Sequence, residues 1–395
     1  MPPLIRNWKS GRSAALVAAA LMLTTCVSRT SAVIPPRPGN SPTSSSTPSA
    51  SPSPSASPTP SPFTCAGYVP PSIAPEGNLP WPRRSAAFIY DKATDQTILF
   101  GGDAGQSAGE IPNDTWIWNG AAWSQTHPAT APPCWRSGTT SAFDDATGQV
   151  VLFGGQGPPQ VLGPSYPGWF KADTWTWNGT NWSLRDTPTI PGERSWGAMA
   201  FLPGTERLVM FGGFGASNPS LGDTWLWDGQ DWGQLSFTEP TPPSRSSATL
   251  AYDGHRLILF GGLHISNGPT PAGTPLNDTW AFDGTHWQQL HPPSSPPARS
   301  LAGLLQQGPN GVVIAGGFSE TAQAGTYYND MWRWDGSNWA RLPVAMPGPA
   351  NRYLFMTTQD TRRGVGLLFG GKAGGGGAEL NDLWAWDGNA WRALP

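Results

Sequence analysis

The chain has 395 residues, of which only 12% are charged while glycine supplies 49 and proline 44, a profile of turns and short strands with little helix. The formal net charge is −3, and the first 32 residues hold four basic side chains (Arg6, Lys9, Arg12, Arg29) and no acid, so a chain cleaved after them carries −7. That balance argues against a nucleic-acid partner, because a binder needs a basic face to release counterions.

Residues 1–26 have the order of an export signal: a basic stretch from Arg6 to Arg12, an apolar run from Ala14 to Leu23, and small residues after it. The apolar run is too short to span a bilayer. Two cleavage readings stay open, a lipobox-like "LTTC" that ends in Cys26, the lipidation candidate, and ordinary cleavage after Ala32 in "RTSA". Either predicts export, as a surface lipoprotein whose only membrane contact is its lipid anchor or as a secreted protein. Residues 27–63 are a Pro/Ser/Thr-rich linker that cannot bury a core and is expected to stay disordered. Its stretch from Pro35 to Pro62 reaches on the order of 85 Å in a polyproline II state. A lead segment, 64–82, follows. With Cys26 lipidated, Cys65 and Cys134 remain as a pair, and a disulfide between them is expected in an oxidising compartment. Two buried thiols are the alternative.

Gly-Gly pairs that follow apolar runs begin at 101, 154, 212, 261, 316 and 370, a period near 50 that marks an internal repeat. Each unit contains four alignable segments. The first follows an arginine, as in "RSAAFIYD" and "RSSATLAYD". The second is an apolar run such as "QVVLFGG", rich in Val, Ile, Leu and Phe without alternation, which reads as a strand buried on both faces. The third runs "DTWIW", "DTWTW", "DTWLW", "DTWAF", "DMWRW" and "DLWAW", with aromatic residues two apart on one face. It ends in Asn-Gly or Asp-Gly at Asn119, Asn178, Asp228, Asp283, Asp335 and Asp387, which predicts a type I′ hairpin into a fourth, Trp-initiated strand. The expected fold is therefore all-β: a six-bladed β-propeller of four-stranded antiparallel blades. It covers 83–395, with blades near 83–131, 132–192, 193–243, 244–297, 298–349 and 350–395.

The diglycine, the later tryptophans and the period resemble kelch repeats, of the type in the central domain of galactose oxidase. Seventeen of the 22 tryptophans occupy the three repeated positions, which assigns them to packing between blades. The chain closes its sixth unit with "WRALP" and shows no extra strand before Arg83, so noncovalent closure between blades one and six is expected, without a strand swap. The copper site of galactose oxidase is not expected: Trp196 stands where a tyrosine would be wanted, and the five histidines form no ligand spacing. No metal and no cofactor are predicted.

The segments leading into strand one and the loops between strands two and three open on one face. The latter loops vary most, at 11, 17, 9, 15, 12 and 10 residues between diglycine and aspartate. Recognition is expected there. In related kelch propellers, arginines at the blade starts line the central pocket, which makes Arg84, Arg136, Arg194, Arg245, Arg299 and Arg352 ligand-binding candidates for a carboxylate or phosphate. The competing reading pairs them with the six strand-three aspartates, Asp114, Asp173, Asp223, Asp278, Asp330 and Asp382. Trp135, Trp169 and Trp196, with Tyr327, Tyr328 and Tyr353, are aromatic candidates for a sugar face, or loop caps. The sequence reading is a monomeric binding protein for a glycan or protein ligand, with no catalytic residues assigned. A sugar-modifying enzyme is the alternative, since propellers similar to sialic acid epimerases use a charged central pocket; Glu110, Glu193, Glu320 and Glu379 map to the same face.

Overall fold

Strand two of each repeat supplies the most buried residues of the chain, because an all-apolar run in a radial sheet has neighbours on both faces: Ile98, Leu99, Val150, Val151, Leu208 and Val209 are fully buried. The computed structural model describes residues 78–104, 113–130, 132–157, 170–266, 273–320, 325–343 and 347–395. Cys26, Cys65, the linker and Trp169 lie outside the described residues.

Six antiparallel sheets follow one another, each with its strands in chain order. Blade one comprises Ala87–Asp91, Gln96–Phe100, Thr115–Trp118 and Trp123–Thr126; blade two Thr140–Asp144, Gln149–Phe153, Thr174–Trp177 and Trp182–Arg185; blade three Ala198–Leu202, Arg207–Gly213, Leu221–Trp227 and Trp232–Leu235. Blade four comprises Thr249–Tyr252, Leu257–Phe260, Thr279–Phe282 and Trp287–Leu290; blade five Gly303–Gln306, Val312–Glu320, Gly325–Trp334 and Trp339–Leu342; blade six Met356–Asp360, Val365–Ala373, Glu379–Trp386 and Trp391–Leu394. First strands of successive blades touch around the full circle, that of blade six returning to blade one. The expected six-bladed propeller is present.

The repeated residues have separate tasks at the blade junctions. In blades one to four the Thr opening strand three accepts a hydrogen bond from the next blade's outer tryptophan: Trp182 to Thr115, Trp232 to Thr174, Trp287 to Thr224 and Trp339 to Thr279, at 2.9–3.0 Å. The phenylalanine before the diglycine packs on that same tryptophan, with centroids 5.0–5.5 Å apart for Phe100–Trp182, Phe153–Trp232, Phe211–Trp287 and Phe260–Trp339. The diglycine brings two blades into backbone contact. A Cβ on Gly154, which has φ +63°, would lie 2.4 Å from the Arg194 carbonyl, while the N–H of Gly155 donates to that carbonyl at 2.8 Å.

The six-to-one junction keeps the phenylalanine and the diglycine, with Leu383 in the threonine's place, and among the described residues no swapped strand joins it: Phe369 packs on Trp123 at 5.2 Å, and Gly371 N–H donates to the Arg83 carbonyl at 2.9 Å. An ion-pair clasp is added there. Arg363 contacts Asp95 at 3.4 Å and donates to the Asn119 carbonyl at 2.8 Å, and Arg362 also pairs with Asp95. Tyr90 donates to Asp95 at 2.5 Å, and burial together with this bond pushes its phenol up to about 12.

One local expectation needs correction. At the turns into strand four, glycine alone takes positive φ, as at Gly120 and Gly179, so the hairpins are not type I′. The Asn or Asp instead uses its side-chain oxygen to accept two backbone N–H groups; Asn119 Oδ1 accepts from Ala121 and Ala122, both at 2.9 Å. That bond closes a four-residue loop between Trp118 and Trp123.

Candidate functional site

Each blade-start arginine is buried scaffold. Arg136, wholly buried, donates through Nη1 and Nη2 to Asp173 at 2.6 and 2.9 Å, through Nη1 to the Gly154 carbonyl at 3.0 Å, and through Nε to the Cys134 carbonyl at 3.0 Å. Trp175 Nε1 donates to Asp173 at 2.8 Å. The same bidentate pair recurs in every blade, as Arg83–Asp114, Arg194–Asp223, Arg245–Asp278, Arg299–Asp330 and Arg352–Asp382, at 2.5–2.7 Å for the shorter contact. Burial opposes ionisation of Asp173, yet the guanidinium of Arg136 and the indole N–H of Trp175 outweigh it and hold the carboxyl below its usual range. The other five aspartates are depressed by the same opposition of burial and an arginine. Of the two readings of these arginines, the structure has the one that pairs them with the strand-three aspartates; the candidate free arginine ring is corrected, since these guanidinium groups already hold carboxylates.

The blade-one assignment is also corrected. Arg83, not Arg84, occupies the paired position. Arg84 is one residue on, at the place held by Ser137, Ser195, Ser246, Ser300 and Tyr353 in the other blades, where the chain bridges to the residue after the diglycine. Four of these six positions are serine, and the two exceptions lie side by side in the ring. Around them, charged groups take places that are apolar or neutral elsewhere. Asp103 and Lys372 stand where the other blades have Gln156, Phe214, Leu263 and Phe318.

These departures converge into one rim cluster over blades five, six and one. Arg84 pairs with Asp103 at 2.6 Å and with Glu379 at 2.9 Å, and Lys372 lies 3.7 Å from Glu379. Tyr353, Lys372 and Glu379 are direct neighbours across three strands. Phe318, Tyr327 and Tyr353 stack beside them, with centroids 5.1–5.8 Å apart. Burial, then the neighbouring Tyr327, pushes the Tyr353 phenol up. Among the described residues, neither of these two phenols has a hydrogen-bonded hydroxyl, although Tyr353 stands near Arg84 and Glu379. Phe318 and Tyr353 are buried and Tyr327 is half-buried, so the aromatic surface on offer is that of Tyr327, beside a charge-balanced set of donors and acceptors.

The remaining candidates lie elsewhere. Tyr328 covers the Arg299 guanidinium at 3.9 Å. Trp135 is half-buried. Trp196, with φ 51°, belongs to a ring of left-handed residues around the channel mouth with Ser85, Gly138, Ser247, Leu301 and Leu354. Their backbones are linked from blade to blade, as Trp196 N–H to Gly138 O at 2.7 Å and Ser247 N–H to Trp196 O at 2.8 Å. Its indole meets Phe214 edge-on at 6.3 Å, and among the described residues its buried Nε1 has no hydrogen-bond partner. Cys134 is buried, and its expected partner lies outside the described residues, as does Glu110. Sequence reasoning did not single out Lys171, which is buried at the place of Leu221, Leu276 and Leu380; burial and Arg136 lower its ammonium to about 8.

Residues 168–362 match the family model for the KLHDC2/KLHL20/DRC7 kelch-repeats domain. Among curated proteins, the chain is 30% identical over 227 residues to putative adagio-like protein 2 of Oryza sativa subsp. japonica, covering 54% of this chain and 33% of that protein. It is 30% identical over 149 residues to the dynein alpha chain of the flagellar outer arm of Chlamydomonas reinhardtii, covering 37% and 3%. It is 28% identical over 211 residues to human multiple epidermal growth factor-like domains protein 8, covering 51% and 7%. The chain thus spans no more than a third of these relatives. The solved structure of YjhT superposes with a TM-score of 0.60 at 16% identity, over 80% of this chain and 99% of that one; at this identity the likeness is one of fold.

Proposed function

Since this chain belongs to the kelch-repeat β-propellers, we propose that it is an exported binding protein that takes a glycan on the rim of blades five, six and one. The observation that carries this reading is the clustering of the repeat-breaking residues Arg84, Asp103, Tyr353 and Lys372, with Tyr327 and Glu379 beside them, at one place on a pseudo-symmetric scaffold. A residue that departs from a sixfold pattern is not required by the repeat, and four of them meeting in space point to a common contact. The half-buried Tyr327 face suits a pyranose ring, and alternating guanidinium, ammonium and carboxylate groups suit its hydroxyls. The ions are mutually paired, which favours a neutral glycan over an anionic one.

The reading is tested with the full chain on a panel of neutral and acidic oligosaccharides, following both binding and any change of anomer or linkage. Binding of neutral glycans without turnover is the expected result. Turnover supports the enzyme reading instead, and absence of any glycan binding together with recovery of one protein from a cell-surface pull-down supports a protein ligand.

In the same proposal the protein is held at the cell surface by lipid on Cys26, the linker carries the propeller clear of the membrane, and Cys65 bridges to Cys134. Incorporation of a palmitate label that is lost in Cys26→Ser is expected. Equal labelling of both proteins, or none in either, sinks the anchor.

A further inference from the structure

The junction between blades five and six lacks both devices that seat the outer tryptophan elsewhere. Blade five carries Ala315 where the other blades have Phe100, Phe153, Phe211, Phe260 and Phe369, and it carries Met331 where blades one to four have threonine. Trp391 therefore has neither a phenylalanine before it nor a hydroxyl to receive its N–H. The volume left by the missing ring is not refilled. Phe355, at a place held by Ala86, Thr139, Gly197, Ala248 and Ala302 in the other blades, leans against Gly303 and Gly316. Even so, a cavity of about 250 Å³ remains between Ala315, Tyr328, Met331, Phe355, Leu368 and Trp391.

The chemistry of this slot narrows what fits it. Its wall is apolar and aromatic, and the one charged group that reaches it, Arg352, is committed to Asp382, to the Gly370 carbonyl and to the Ala350 carbonyl. Water gains few partners in such a wall, whereas cavities of about 150 Å³ lined by aliphatic and aromatic groups accept a benzene-sized ring. Asn329 and Asn351 also border the slot and are exposed, so polar contacts are available where it meets solvent.

We propose that the slot between blades five and six is a binding site for a small uncharged aromatic ring with one polar substituent, the ring lying among Met331, Leu368 and Trp391 and the substituent meeting Asn329 and Asn351. The site does not depend on the rim reading. It arises from one lost phenylalanine, and restoring bulk at that position closes it.

The test uses 4-fluorophenol as the probe, with fluorine NMR line broadening on the full chain. Broadening at millimolar probe or below is expected in the native protein, with affinity reduced at least tenfold in Ala315→Leu and unchanged in the rim double variant Arg84→Ser/Tyr353→Ser. Leu368→Phe, which fills the slot from blade six, gives the same loss should Ala315→Leu not fold. No broadening at the solubility limit of the probe, or equal broadening in the native protein and the filled variants, overturns the proposal.

Discussion

Replacing Arg136 with methionine is expected to destabilise the propeller by about 3–5 kcal/mol, the cost of leaving a buried carboxylate without its partner. For a domain of this size that corresponds to a fall in Tm on the order of 10 °C. The size follows from what Arg136 holds. Its guanidinium donates four hydrogen bonds that tie the strand-one lead, the diglycine and Asp173 of strand three together, and methionine replaces none of them. Asp173 would keep its bond from Trp175 and lose both of its bonds from the guanidinium. Converting the orphan to an amide, in Arg136→Met/Asp173→Asn, is expected to recover part of the loss, because the charge is gone while an acceptor for Trp175 remains.

The same pairs set the acid limit of the fold. A carboxyl depressed in the folded state stabilises it fully above the unfolded value, about 3.9 for aspartate, and loses that contribution as pH falls through the folded value. Six such groups are held below the usual carboxylate range here. Urea unfolding followed by tryptophan emission should give a stability that is flat from pH 6 to about 4 and falls steeply below. The deficit of Arg136→Met should shrink over the same acidic range, since protonation removes the orphaned charge. A deficit under about 1 kcal/mol at pH 7, the scale of an exposed ion pair, would mean the pair is not buried scaffold.

Much of this architecture was legible because the repeat states it six times. The diglycine, the aspartate that opens strand three and the tryptophan spacing each have one geometric task, and a residue with one task in six copies leaves little room for misreading. The arginine register failed for a specific reason. "PRRSAAFIYD" contains two adjacent arginines, and matching the following serine selected Arg84. Counting back from the aspartate that ends strand one would have selected Arg83, since Arg136 and Arg352 stand eight residues before Asp144 and Asp360, as Arg83 does before Asp91. The type I′ expectation failed because an Asn or Asp before glycine has two ways to make a turn, and here the side-chain cap prevails over left-handed backbone.

The site was legible only in fragments. Tyr327, Tyr353 and Glu379 stand out as residues, but the first two belong to different blades, and their stacking depends on the rotation from one blade to the next. Asp103 and Lys372 carried a readable signal, as charged residues at a post-diglycine place that is otherwise glutamine, leucine or phenylalanine. The loss of phenylalanine in "VVIAGG" was likewise readable; that the space stays open despite Phe355 was not, because it depends on side-chain volume across two blades.

The second large effect concerns binding, and it tests whether recognition lies where the sixfold pattern is broken. Arg84→Ser/Tyr353→Ser returns both exceptional positions to the serine found in four blades. It removes the guanidinium between Asp103 and Glu379 and one ring of the aromatic triad, but none of the six buried pairs of blade-start arginine and strand-three aspartate and no inter-blade tryptophan contact. Two contacts of this kind, a charge-assisted donor pair and a stacked ring, are together worth about 3 kcal/mol, or on the order of a hundredfold in affinity. The decisive measurement is therefore calorimetric titration of the bound glycan into the native chain and this double variant, with Tm recorded for both. A loss of affinity of about a hundredfold with Tm changed by no more than a few degrees is the predicted result. Unchanged affinity in a folded double variant would contradict it and move the ligand off the rim.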